Sequence, residues 1–115
     1  MFNLVFYETP TGKRPVAEFI LGLPQNLKAK AVRDIDILAE RGNQLREPYS
    51  KHLQEGLFEL RIQTSGDIAR IFYFFFVDET IILVNGFVKK TQKTPRKEID
   101  KALRYKADYE RRSSK

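Results

Sequence analysis

The chain has no cysteine, no tryptophan, one methionine and a single histidine, His52. Without cysteine there is no disulfide, no thiolate nucleophile and no thiolate-held metal, a composition that suits a reducing compartment. One histidine cannot assemble a histidine-rich metal site either, so neither a metal nor a cofactor is expected. Long apolar runs are equally scarce. The strongest, Ile68–Val77, is too short to span a bilayer, and the N-terminus lacks the basic-then-apolar order of a secretory leader. The expectation is a cytoplasmic protein with no membrane role.

What is present suffices for one small domain covering residues 1–115. Hydrophobic residues make up 42% of the chain, with nine Phe and five Tyr to fill an interior. The net charge of +6 is unevenly spread. From Lys89 to Lys115 eleven Lys and Arg face four Asp and Glu, a surplus of 11 − 4 = +7, which leaves the first 88 residues at −1. Such a concentration suits an anionic partner, although a solvated basic helix would give the same count.

Periodicity divides the chain into an α+β order. Phe2, Leu4 and Phe6 alternate as in a half-buried strand that ends at the Thr9–Gly12 turn. Pro15 suits the first turn of a helix carrying Val16, Phe19, Ile20 and Leu23, and Pro24 stops it. A second helix is expected over about 26–41, with Leu27, Ala31, Ile35 and Leu38 on one stripe and Gly42 just past its end. The polar stretch 43–56 shows no period and reads as a loop. Three strands then follow over 57–62, 68–77 and 80–88, joined by turns at Ser65-Gly66 and Asp78-Glu79, which predict an antiparallel three-stranded meander. Thr94 as N-cap and Pro95 after it open a C-terminal helix, with the tail from Arg111 expected to fray.

Regular two-residue turns without a bulge give a definite register. Arg61 then lies opposite Arg70, Phe87 lies opposite Arg70 on the other side, and Lys89 follows on the same face. The opposite face collects Phe58, Leu60, Ile62, Ala69, Ile71, Tyr73, Phe75, Ile82, Val84 and Val88 as the core. Leu57, Phe74, Phe76 and Leu83 share the arginine face, at the end expected under the last helix. Facing arginines destabilise a sheet unless an acid neutralises them, and Glu59, on the same face, is that candidate acid. The other explanation is a phosphate site, because guanidinium forks match phosphate oxygens and the ring of Phe87 can stack on a base. On this reading Arg70 is an exposed sheet residue.

The strings Leu57-Phe-Glu-Leu-Arg61, Ala69-Arg-Ile-Phe-Tyr73 and Asn85-Gly-Phe-Val-Lys-Lys90, closing on Thr94-Pro95, resemble the RelE/ParE toxin superfamily in its HigB-like branch, related to phage-derived Gp49-like proteins. The resemblance runs over nearly the whole chain and implies a RelE-like fold. It also implies an mRNA endoribonuclease, acting without metal and in all expectation on the ribosome, in which the ribose 2′-OH attacks the adjacent phosphorus. By position Arg61 and Arg70 match the residues that hold the scissile phosphate, with Lys89 or Lys90 as the proton acceptor. The tyrosine that RelE toxins carry at the start of the last helix has no counterpart, since Lys97, Glu98 and Ile99 stand there.

Arg46, Lys51, His52, Lys93 and Arg96, with Phe87, are the candidate RNA-binding residues, and plain solvation accounts equally well for the exposed cations among them. The implied partners are mRNA, the ribosome and a helix-turn-helix antitoxin of the HigA type, with operator DNA reached only through that antitoxin. Two other functions fit the same residues: inhibition of DNA gyrase, as in ParE-like members, and binding of nucleic acid without chemistry.

Overall fold

Proline and glycine mark out the helical layer much as the sequence suggests. The computed structural model describes residues 1–89 and 93–113. After strand β1 (Asn3–Phe6), Pro15 opens helix α1 (Pro15–Leu21), and helix α2 (Gln25–Arg41) follows directly behind Pro24. Gly42 ends α2 with φ of 54° and begins a single 3-10 turn. A side chain there is excluded twice over: the backbone is left-handed, and a Cβ would lie 2.0 Å from the Phe2 ring. This close approach packs β1 against the end of α2, where the Phe2 amide donates to the Ala39 carbonyl at 2.8 Å.

Four further strands, β2 (Ser50–Gln54), β3 (Leu57–Gln63), β4 (Ile68–Phe76) and β5 (Thr80–Val88), precede helix α3 (Arg96–Ser113). The five strands form one mixed sheet in the order β1-β5-β4-β3-β2, with β1 parallel to β5 and all other pairs antiparallel. The α+β class and the meander at its centre are as expected from sequence, and the whole is consistent with a RelE-like fold. Helices α1 and α2 cover one face around Leu60, Ile62, Ala69, Ile71, Tyr73, Ile81 and Leu83, whereas α3 covers part of the other around Leu57, Phe72, Phe74, Ile82 and Val84. Both faces of β4 and β5 are therefore buried, which explains their near-continuous apolar sequence. Full burial of Phe72 and Phe74 each contributes roughly 2–3 kcal/mol of transfer free energy.

Several expectations need correction. The stretch read as a loop contains edge strand β2, whose Lys51 pairs with Glu59 and His52 with Phe58. The second hairpin has a three-residue connection: Phe76, not Val77, pairs with Thr80, and Asp78 and Glu79 both take positive φ. The ladder regains the expected register at Phe72–Asn85, so Val84 is the extra residue of a bulge. That slip turns Ile82 and Val84 to the α3 face and Leu83 to the α1/α2 face, the reverse of the bulge-free assignment, while Val88 is 41% exposed.

Thr94 spends its hydroxyl on Glu59 Oε1, at 2.9 Å, and the Pro95 carbonyl receives the first helical amides. Finally, of the tail expected to fray, residues 111–113 continue α3 because its last turn is anchored, and Ser114 and Lys115 lie outside the described residues. Arg112 donates to the Glu8 carbonyl and pairs with Asp108, which also accepts the Tyr7 hydroxyl at 2.6 Å.

Candidate functional site

Two strands carry arginine at opposed positions near one end of the sheet. Arg61 of β3 pairs with Arg70 of β4, as the first hairpin predicts, and Phe87 of β5 flanks Arg70 on the other side, where the bulge at Val84 cancels the three-residue turn and restores the expected pairing. The register of the first hairpin holds because the Ser65-Gly66 turn is regular, with the Thr64 amide donating to the Asp67 carbonyl at 2.9 Å. Helix α3 covers only the apolar end of this face, and the segment leading into it is tied to the cluster by the Thr94–Glu59 hydrogen bond.

Glu59 organises the cluster. Its side chain is 2% exposed and places Oε2 at 3.3 Å from Arg61 Nε and 3.6 Å from Arg70 Nε. The carboxylate thus offsets the repulsion that two facing arginines would otherwise impose. One carboxylate does not neutralise the whole group. Lys51 stands beside Glu59 on β2, Lys89 follows Phe87 on the same face, and Glu47, an exposed residue, reaches Arg61 at only 3.8 Å. Four cations around one buried acid leave a positive surplus, suited to an anion.

The arginines differ in access. The sequence expectation of an exposed Arg70 is corrected: its side chain is 7% exposed, against 25% for Arg61, because Arg70 lies on a central strand between Glu59 and Phe87. Its Nη1 donates to the Ala69 carbonyl at 3.2 Å, while its Nε is buried without a hydrogen-bond partner among the described residues. Burial, and then the Arg61 charge, push the Arg70 guanidinium below its ordinary value against the pull of Glu59. Lys89 is also pushed down, chiefly by desolvation and by Arg70, with Arg61 and Lys51 adding to the effect and Glu59 opposing it. A lysine so placed gives up its proton more readily than one in water.

The other sequence candidates scatter. His52 sits on β2 but points to the α1/α2 face, its ring 5.0 Å edge-on from Phe58. Arg46 is exposed before β2, where it donates to the Asn43 carbonyl at 2.8 Å. Arg96 is exposed at the start of α3 and bonds Gln54 at 2.9 Å and Asp100 at 3.1 Å. Lys93 is exposed in the lead-in to α3, and Lys90 lies outside the described residues.

The ring of Phe87 stacks on Phe72 at 5.7 Å. Tyr105 and Tyr109 pack from α3 against Tyr7, Phe74 and Phe76, and Tyr73 is buried on the α1/α2 face with its hydroxyl bonded to Ser50, so none of these three tyrosines joins the cluster. Lys51 and Thr94 do join it in ways the sequence did not show. The only available hint for Lys51 was a short polar segment ahead of a strong strand.

This arrangement of three helices, a mixed sheet and a basic cluster coincides with a match to a family model. Residues 18–107 match the family described as Phage derived protein Gp49-like (DUF891). The chain belongs to the Gp49-like family. That family lies within the RelE/HigB-like toxin superfamily and is related to toxin–antitoxin systems, so a toxin role and an antitoxin partner follow at that level. No curated protein matches this Gp49-like chain. Among its described residues no helix is long and apolar enough to cross a membrane. No group of three or more His, Asp or Glu among them is placed to hold a metal ion.

Proposed function

We propose that this Gp49-like chain is a toxin that cleaves mRNA and is silenced by a helix-turn-helix antitoxin. The observation that carries the reading is the Arg61–Arg70 pair on adjacent strands, held by one buried carboxylate, with an aromatic ring and a lysine on the same face. Two guanidinium groups within reach of one anion suit a phosphodiester, and an anchored pair needs little reorganisation as charge builds on the phosphoryl oxygens. Arginine does not give up its proton at working pH, so it stabilises charge and another group moves the proton. Lys89 is that group, as its neutral form is favoured by burial and by Arg70.

In this reaction the Lys89 amine takes the proton from the ribose 2′-OH, and the 2′ oxygen bonds to the adjacent phosphorus. The bond from phosphorus to the 5′ oxygen breaks, and that oxygen leaves with a proton from water. The products are a 2′,3′-cyclic phosphate and a 5′-OH end. Lys51 and the basic surface of α3 suit the backbone of mRNA or of ribosomal RNA, and cleavage is expected on translating ribosomes. The antitoxin contacts the surface of α1 and α2, remote from the arginines, and blocks access to the ribosome.

The test is to incubate the protein with mRNA, with and without translating ribosomes and with and without EDTA, and to map the ends. Cyclic or 3′-phosphate ends facing 5′-OH ends are expected, and a deoxyribose 5′ to the cut should abolish cleavage while phosphate-driven binding persists. Arg61→Ala should fold normally and fail to arrest growth. Intact RNA in every condition together with stalled gyrase would put the chain with the gyrase inhibitors, and RNA that is bound but never cut would make it a binding module.

A further inference from the structure

Among the described residues Asn85 has no bonded neighbour to explain it. It is 2% exposed on β5, and neither its amide nitrogen nor its amide oxygen has a hydrogen-bond partner among the described residues. A buried amide with both groups unmet opposes folding, and an apolar residue of the same size would remove that opposition. The backbone also turns this residue toward the cluster. Had the register from the Phe76–Thr80 end continued, Asn85 would oppose Ile71 and face α1 and α2. The bulge at Val84 instead places it opposite Phe72, on the face that carries Arg70 and Phe87. Bulges are over-represented beside active sites, where they re-aim a side chain, and this one turns a polar side chain toward the candidate site.

From Asn85 the strand presents an amide, the Phe87 ring and the Lys89 ammonium at alternate positions, each step about 6.7 Å. The amide occupies the closed end of this row, and the ring and the lysine are both half-buried. We propose that Asn85 is a specificity-determining residue that reads the edge of an unpaired RNA base stacked on Phe87, with the neighbouring phosphate held by Arg61, Arg70 and Lys89. An Asn amide offers a donor beside an acceptor, the complement of base edges that present the same two groups in reverse. Single-stranded RNA is read in this way, by stacking on an aromatic ring and hydrogen bonding along an exposed edge. The inference rests on the ribonuclease reading above and adds to it the determinant of base choice.

The experiment uses short RNA oligonucleotides that differ in one base on either side of the cut, in an all-ribose form for cleavage and a form with deoxyribose 5′ to the cut for binding. The parent is expected to rank the four bases over a spread of about fivefold or more. Asn85→Leu should fold with an equal or higher unfolding midpoint and keep the salt dependence of binding, while the spread between bases collapses. Asn85→Ser, which keeps polarity but lacks the paired donor and acceptor, should lose the ranking too. If both variants retain the parent's ranking, the amide is a passive group satisfied by buried water and the inference is overturned. A parent that neither binds nor cuts any oligonucleotide, on or off the ribosome, overturns the ribonuclease reading as well, so the two failures are distinguishable.

Discussion

Replacing Glu59 by Gln removes one negative charge without changing shape, at a position where the structure allows the consequence to be worked out. The parent carboxylate meets Arg61 at 3.3 Å, Arg70 at 3.6 Å and the Thr94 hydroxyl at 2.9 Å. Breaking a buried pair by deleting one charge costs about 3–5 kcal/mol, because the surviving charge stays buried and unmatched. Arg61 is a quarter exposed, so water screens part of its share and the lower end applies, about 3 kcal/mol. For 115 residues the unfolding entropy is about 0.24 kcal/mol/K, which converts that loss into a fall in Tm of about 12 °C.

Urea unfolding with an unchanged m-value and a thermal scan measure this directly. Glu59→Gln combined with Arg70→Met should recover part of the loss, with a coupling of about 1–2 kcal/mol, since the second change removes the charge left unmatched. A single variant within a degree or two of the parent, or strict additivity in the double variant, would refute the claim that Glu59 holds the two arginines together.

Two further outcomes follow from proton affinities. If Lys89 accepts the 2′-OH proton, the cleavage rate rises with pH and levels off below the ordinary lysine value, and Lys89→Met loses that limb, as a pH–rate profile would show. A profile shared by parent and variant removes Lys89 from that role. The Tyr7 phenol is pushed up to about 12, first by burial and then by its hydrogen bond to Asp108, so an unfolded chain releases this proton more easily than the folded one. Its contribution to stability is therefore complete below about pH 10 and is lost between about 10 and 12. Tyr7→Phe should lower the unfolding midpoint at neutral pH and delete one late-titrating phenol from an ultraviolet titration. An unchanged titration would place the late phenol elsewhere.

Asp108 shifts the opposite way, held below the carboxylate range first by Tyr7 and also by Arg112 and Arg111. The clasp it forms between the segment after β1 and the end of α3 is present above that range and weakens as the pH falls through the folded value.

Local chemistry was enough to place Arg61 against Arg70, whereas Phe87 comes opposite Arg70 only because the bulge at Val84 cancels the longer second turn. The Ser65-Gly66 turn sets the first hairpin within a few residues, and the strict alternation of β3 leaves no second register that buries Leu60 and Ile62. Pro15, Pro24 and Gly42 likewise bounded α1 and α2, because their backbone restrictions act within a single turn. The Glu59 countercharge was legible too, as a residue two positions from Arg61 on one face.

Other features depend on partners far away in the chain. Strand β2 is polar and lacks alternation, and it is a strand because the edge of β3 offers it backbone hydrogen bonds. The bulge at Val84 satisfies two packing demands at once, Ile82 and Val84 under α3 and Leu83 against α1 and α2, and nothing in the string Leu83-Val-Asn-Gly86 announces it. Arg70 is buried because Glu59, Phe87 and the start of α3 close around a central strand. Helix α3 runs on to Ser113 because Arg112 finds Glu8 more than a hundred residues earlier. Residue types and nearby turns decide which side chains share a face; how deeply each one sits, and which strand runs at the edge, is settled by contacts that form only when the layers close.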